Sequence, residues 1–279
     1  MMSGMTDAQC VAFLQWALPR LRLHWAGYRK VRGQVCKRVQ ARLRELGLPD
    51  VTQYQALLER SPSEWARLEV MCPITISRFC RDGSVFDGLA KVVLPKLANT
   101  ARQCQQATLR CWCAGCACGE EVYSLRLIWD MQLATSHPRL DLELIGTDAD
   151  AQVLARARAG CYPGSSLKEA PPDWLERAFT VRDTDYCLRP EFRRRITFEV
   201  QDIRRHLPDG PFDLILCRNL VLTYFEPDLR QAVLTQLVER LRPRRALVVG
   251  LHERLSPDFA GLEAWTGCPA CYRRDSGDA

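Results

Sequence analysis

No stretch of the 279-residue chain approaches the roughly 20 consecutive apolar residues of a membrane span. The opening MMSGMTDAQC lacks the basic-then-apolar order of a secretory signal. Both absences point to a cytoplasmic chain without membrane insertion. Histidine is scarce, with four residues at 24, 137, 206 and 252, and none falls in the motifs below. Acids are missing altogether between Arg20 and Arg44, where nine basic residues stand: Arg20, Arg22, Arg29, Lys30, Arg32, Lys37, Arg38, Arg42 and Arg44. That block exceeds the net charge of +6 for the whole chain. The remainder is therefore slightly acidic, and the N-terminal block is a surface for an anionic partner.

What is abundant is cysteine, fourteen residues in all. A chain of this length buries a core without staples, and with no export signal a disulfide framework is not expected. The thiols read as reduced, small core residues. Metal is the competing reading, on Cys111-x-Cys113-x₂-Cys116-x-Cys118 and on Cys268-x-x-Cys271.

The first ~90 residues carry helical spacing. Val31, Val35, Val39 and Leu43 recur every fourth residue, Gly47 is a helix stop, and Ser61-Pro62-Ser63-Glu64 is a capping box opening a helix with Trp65, Leu68 and Val70. From residue ~105 strands and helices alternate. Residues 108–113 (TLRCWC), 142–147 (LELIGT), 212–217 (FDLILC) and 246–251 (ALVVGL) read as buried strands. Asp150 caps a helix closed by Gly160, and another helix runs from Pro227 through Leu241. Near-continuous apolar strands joined by helices imply a parallel sheet covered on both faces. Residues 162–200, rich in proline and then arginine, read as an inserted subdomain with one strand at 196–200.

In an open α/β sheet, ligands bind beyond the carboxyl ends of the strands, near the switch in strand order. Four features belong there. The turn 114–119 (AGCACG) lets a backbone approach a ligand, and Glu120 and Glu121 follow it. Two carboxylates disfavour a diphosphate and suit an ammonium group, which favours S-adenosylmethionine over a dinucleotide. Asp148, ending the next strand, suits ribose hydroxyls. Gln201-Asp202-Ile203 suits an adenine edge. Cys217-Arg218-Asn219 and Tyr224 end an apolar strand, where polar groups are costly unless paired or facing a ligand. The cysteine run 111–118 lies on this strand and turn, where a tetrahedral metal would displace the ligand. Cys268-x-x-Cys271 lacks a second pair, so no metal is expected.

The segments 75–82 (TISRFCRD), 112–125 (WCAGCACGEEVYSL), 145–150 (IGTDAD), 157–162 (ARAGCY) and 212–225 (FDLILCRNLVLTYF) resemble, in order and spacing, the CheR-type S-adenosylmethionine-dependent methyltransferases, which esterify glutamates of chemoreceptors. The resemblance runs from about Tyr28 to Ser256. It implies an α/β fold with a Rossmann-like class I methyltransferase sheet domain (91–279). A small all-helical domain (1–90) with a basic, substrate-facing surface precedes it, and a small β-subdomain is inserted at about 161–200. It implies that Thr75, Ser77, Arg81, Gly115, Glu120, Glu121, Asp148, Asp202, Ile203, Arg218 and Asn219 meet S-adenosyl-L-methionine or its product S-adenosyl-L-homocysteine. Glu120 would sit on the methionine ammonium and Asp148 on the ribose. The family commonly has asparagine at the place of Thr75, threonine at that of Ser77, and glycines where Arg242-Pro243-Arg244-Arg245 stand. Segment 29–39 is similar to a branch outside standard chemotaxis clusters.

A glutamate acceptor is already ionised at neutral pH, so alignment and desolvation suffice. The absence of a histidine from the motifs is consistent with that. Arg81 and Tyr224 are the expected catalytic residues, one steering the acceptor carboxylate and the other near the transferring methyl. Arg29, Lys30, Arg32, Lys37, Arg38 and Arg42 are the expected docking set for an acidic helix of a protein substrate, with no nucleic acid and a monomeric enzyme. Other readings are a methyltransferase for another protein or a small molecule, and a non-catalytic module sensing the cofactor or its product. Cys80 and Cys217 flank site residues, where thiol oxidation would be felt.

Overall fold

The computed structural model describes residues 5–256 and 259–276, and the elements and contacts below are those of the described residues. The chain divides into two compact units, one of residues up to Thr75 together with Thr223–Arg230, the other of Ile76–Leu222 and the residues from Gln231. The division falls before the sequence boundary at residue 90. The reason is that Val85, Phe86, Leu89, Val93, Leu94 and Leu97 are buried in the same apolar cluster as the sheet strands.

The first unit is helical: α1 (Asp7–Arg20), α2 (Trp25–Tyr28), α3 (Arg32–Glu45), α4 (Val51–Arg60) and α5 (Pro62–Met71). Thr6 and Gln9 form a reciprocal capping box on α1. The stripe of α3 holds from Val35 through Val39 to Leu43, all buried, while Val31 is the half-buried N-cap ahead of the helix. At α5 the expected capping box is only half made. Ser61 accepts the Glu64 N–H, but the Glu64 carboxylate turns instead to Arg42 (2.8 and 2.9 Å) and the Tyr54 hydroxyl (2.8 Å). A buried acid with a guanidinium and a phenol in reach gains more there than at its own cap.

The second unit holds α6 (Gly83–Gly88), α7 (Leu94–Gln103), β1 (Thr108–Ala114), α8 (Glu120–Ile128), β2 (Asp141–Asp148), α9 (Ala151–Ala159), β3 (Cys161–Pro163), α10 (Pro172–Ala178), β4 (Phe179–Arg182), β5 (Asp185–Leu188), β6 (Ile196–Val200), β7 (Phe212–Leu216), β8 (Leu241–Val248), β9 (Leu262–Ala264) and β10 (Cys271–Arg274). Between β7 and β8 the chain forms α11 (Val221–Tyr224) and α12 (Pro227–Arg240). The main sheet has the order β6-β2-β1-β7-β8-β10-β9. Strands β6 to β8 in that order are parallel and the last two antiparallel. The chain leaves β1 toward β2 and β6, then returns to place β7 on the other side of β1. The switch therefore lies between the carboxyl ends of β1 and β7.

Three expectations are corrected. Strand 196–200 is not part of the insert: β6 pairs with β2 from Leu144↔Ile196 to Asp148↔Val200, and the insert's own sheet is β3-β5-β4. The strand expected from residue 246 begins earlier, at Leu241 of β8, with residues 242–245 bulged between the pairs Phe212↔Leu241 and Leu214↔Ala246, Arg244 at φ +60°, and Arg245 reaching the fully buried Asp213 at 2.8 Å. The thiols are not all single: Cys10 pairs with Cys36, Cys161 with Cys187, and Cys268 with Cys271. The cysteines of β1 and its turn do serve as buried fillers. Strands β9 and β10 were missed, being short and without alternation.

Asp213 also accepts the Arg110 N–H at 3.0 Å, so it holds β1, β7 and β8 together at the end opposite the switch. Replacing it by alanine leaves Arg245 buried without its counter-charge, which costs about 3–5 kcal/mol. Urea denaturation of Asp213→Ala is expected to show that loss, with Asp213→Asn intermediate.

Candidate active site

The turn after β1 is built for close approach. Gly115 has φ +68° and Gly119 φ +85°. A Cβ at Gly115 would stand 2.6 Å from Leu220, and one at Gly119 2.9 Å from Ala157. Ala117 shares the positive φ. Asp148 ties this turn to β2: one carboxylate oxygen accepts the Ala117 N–H (3.0 Å), the other the Asp150 N–H (3.0 Å). Each oxygen keeps capacity for a further donor. Burial pushes the Asp148 carboxyl up, and these amide bonds oppose the shift.

The two glutamates that open α8 have different fates. Glu121 faces Arg218, whose guanidinium donates to it at 2.7 Å, to Asp82 at 2.7 Å and to the Arg81 carbonyl at 2.8 Å. The Arg218 side chain is 3% exposed and packs over the Phe86 ring at 5.2 Å. The segment before the sheet, the start of α8 and the end of β7 are thus one ionic cluster. Glu120 is 4% exposed and its carboxyl meets its own backbone amide and two hydroxyls, Ser166 at 3.5 Å and Ser77. Its Oε2 has no hydrogen-bond partner among the described residues. Burial raises its pKa, opposed by its own backbone amide, Ser77 and Arg156.

Among the other orphaned buried atoms, Arg218 Nε lies beyond β7 and Gln201 Oε1 beyond β6, while Arg126 Nε, Arg230 Nε and Arg242 Nε lie away from these carboxyl ends. Buried polar atoms are almost always paired. An anionic acceptor, a cationic donor and an amide oxygen left unpaired beyond three parallel strands suit a ligand bearing ammonium, carboxylate and hydrogen-bond donors. The residues therefore fit S-adenosylmethionine.

A family model described as "CheR methyltransferase, SAM binding domain" matches residues 75–268. The chain belongs to the CheR methyltransferase family. It carries that family's S-adenosylmethionine-binding methyltransferase domain. It is similar to the chemotaxis protein methyltransferase of Listeria monocytogenes serovar 1/2a, 33% identical over 68% of this chain and 69% of that one. It is similar also to the uncharacterized 104.1 kDa protein in the hypE 3′ region of Rhodobacter capsulatus, 33% identical over 83% of this chain. The chain spans only 24% of that protein's length. Among solved structures it is similar to the N-methyltransferase NodS of Bradyrhizobium japonicum in complex with S-adenosyl-l-homocysteine, 16% identical, covering 56% of this chain and 57% of that one at TM-score 0.31.

The other expected site residues are placed as follows. Arg81 has one contact from its guanidinium, to the Ile76 carbonyl at 2.6 Å, and stands with no acidic partner among the described residues. Asp202 is gripped by Arg204 at 2.8 and 2.5 Å. Burial raises its pKa, but Arg204 outweighs it and holds the carboxyl below the usual range. Ile203 beside it is buried. Asn219 lies beyond β7 with φ +52°. Thr75 and Tyr224 belong to the first unit, where the Tyr224 ring lies 4.9 Å from Tyr28 and its carbonyl accepts the His24 N–H at 2.7 Å. Sequence reasoning missed Asp82, Ser166 and Glu253. Asp82 is the last residue of a recognised segment, but the other two stand in stretches without any pattern. The cysteines near the site are protonated fillers: burial pushes the Cys80 thiol up to about 12 and that of Cys217 higher still. Slow oxidation is expected at both.

A raised carboxyl that must ionise to hold a cation makes binding pH-dependent. In the ligand-free protein the Glu120 contribution to stability is present below its unfolded pKa of about 4.3 and is lost as pH rises through the raised folded value. Binding an ammonium reverses that preference. S-adenosylhomocysteine affinity is expected to fall on acidification, with protons released on binding, as calorimetry in two buffers can read. Hydrogen bonds to charged groups are worth ~1.5–3 kcal/mol. Glu120→Gln should therefore raise Kd about 10- to 100-fold and flatten the pH profile.

Proposed function

We propose that the chain is a cytoplasmic protein-glutamate O-methyltransferase, monomeric, acting on an acidic helix of a chemoreceptor-like protein and releasing S-adenosylhomocysteine. The observation that supports it most is the division of labour at α8: Glu121 is neutralised by Arg218 while Glu120 stays buried with an unpaired oxygen. The cofactor, when bound, supplies an electrophilic methyl on a sulfonium. Glu120 would hold its ammonium, Asp148 the ribose hydroxyls, and Ser77, Thr75, Gly115, Asp202, Ile203, Arg218 and Asn219 its remaining edges.

The acceptor carboxylate needs no base, so its orientation is the protein's task. Arg81, with most of its guanidinium unspent, would meet that carboxylate side-on. Tight bidentate pairing would quench the nucleophile, and the bond to Ile76 limits it. Tyr224 would stand near the transferring methyl.

The docking set narrows in the folded unit. Arg32 is tied to Asp7 at 2.8 Å, Arg38 to the Met71 and Pro73 carbonyls at 2.9 and 2.6 Å, and Arg42 to Glu64 and Glu45. Arg29, Lys30 and Lys37 are exposed with no acidic partner among the described residues. These three would attract an acidic helix, while Arg32, Arg38 and Arg42 brace the unit. A protein partner fits three charges better than the longer track a nucleic acid would need.

Incubating the enzyme with methyl-labelled cofactor and cell lysate should label protein with a base-labile ester. Base-stable label would redirect the acceptor to nitrogen or sulfur. Reversing the charges of Arg29, Lys30 and Lys37 together should raise KM for that substrate about tenfold at low salt and less at high salt, with kcat little changed. Arg38→Ala should instead lower stability.

A further inference from the structure

Glu253 follows the last parallel strand in the stretch Gly250-Leu251-His252-Glu253, which no motif marks, and it is buried at 8% exposure. One oxygen of its carboxylate accepts two backbone amides, Asn219 N–H at 2.9 Å and Gly250 N–H at 2.6 Å. The first lies beyond β7 and the second beyond β8, past the last rungs of their ladder, where a buried amide has no strand partner and must find another. Gly250 leaves no room in this arrangement. A Cβ there would stand 2.5 Å from the Asn219 side-chain oxygen and 2.8 Å from Glu253 Oε2. Asn219 itself takes a left-handed φ of +52°, which asparagine tolerates better than most residues. The carboxylate, the glycine and the left-handed asparagine therefore fit only together.

We infer that Glu253 is a positioning residue for the cofactor pocket. It fixes the backbone of Asn219, and so the direction in which the Asn219 side chain leaves β7, and it acts on cofactor affinity through Asn219. The inference rests on the reading that Asn219 lines the cofactor. Charge-assisted bonds from one oxygen to two amides are stronger than neutral ones. They hold the end of β7 to the end of β8 in a place where the sheet ladder no longer does so.

The test is a cycle of full-length variants titrated with S-adenosylhomocysteine by calorimetry, each checked by circular dichroism and thermal melting. Glu253→Ala is expected to weaken binding about tenfold or more. Glu253→Asp, which keeps the charge but loses one methylene of reach, should weaken it too and covers the case in which the alanine variant does not fold. Glu253→Gln keeps an acceptor oxygen and should restore affinity to within about threefold of wild type. In an Asn219→Gly background, where φ is permissive, the Glu253 substitutions should change affinity by no more than about twofold. If Asn219→Gly weakens binding and the Glu253 effect adds to it in full, the inference is overturned while the pocket reading stands. If Asn219→Gly leaves affinity unchanged, the placement of Asn219 on the cofactor fails, and the inference with it.

Discussion

The site depends on one buried cation. Arg218 sits among Asp82, Glu121 and the Arg81 carbonyl with almost no solvent contact. A guanidinium in that position is tolerable only with its counter-charges in place. It draws three stretches distant in sequence to one point: the segment before the sheet, the start of α8 and the end of β7. It also decides which of two adjacent glutamates is spent on structure. With Glu121 taken, Glu120 is the carboxylate left with an unpartnered oxygen among the described residues, and burial raises its pKa.

The same economy of roles recurs around the carboxyl edge of the sheet. Asp148 joins the glycine turn to β2 and retains capacity for hydroxyls. Glu253 joins the ends of β7 and β8. At the opposite edge Asp213 and Arg245 form a buried pair with no ligand role and simply hold the strands. Buried ions at both edges thus share a structural duty, and unpartnered buried nitrogens occur at both, Arg242 Nε standing near Asp213; among the described residues the buried carboxylate oxygen left unpaired, that of Glu120, lies at the carboxyl edge.

Much of this was legible in the sequence because it rests on local pattern. The buried strands at 108–113 and 212–217, the Asp150 cap and Gly160 stop of α9, and the glycine turn followed by two acids are all short-range signals. What was not legible depends on contacts distant in sequence. Strand 196–200 looks no different whether it joins the insert or pairs with β2, and only tertiary pairing decides. Glu64 reads as half of a capping box until Arg42 and Tyr54 arrive from other helices. Six basic residues of the first unit look equivalent in sequence, yet Arg32, Arg38 and Arg42 have partners up to 35 residues away. The Cys10–Cys36 and Cys161–Cys187 pairs and Glu253 had no spacing to announce them.

The central claim is that the buried, unpaired carboxylate of Glu120 receives the cofactor's ammonium while Glu121 remains on Arg218. A crystal structure of the complex with S-adenosylhomocysteine tests it most directly. The account predicts the ammonium nitrogen within about 3 Å of Glu120 Oε2, with the Glu121–Arg218–Asp82 cluster unbroken. An ammonium held by Glu121, or left in solvent while Glu120 turns to a protein partner, would contradict it.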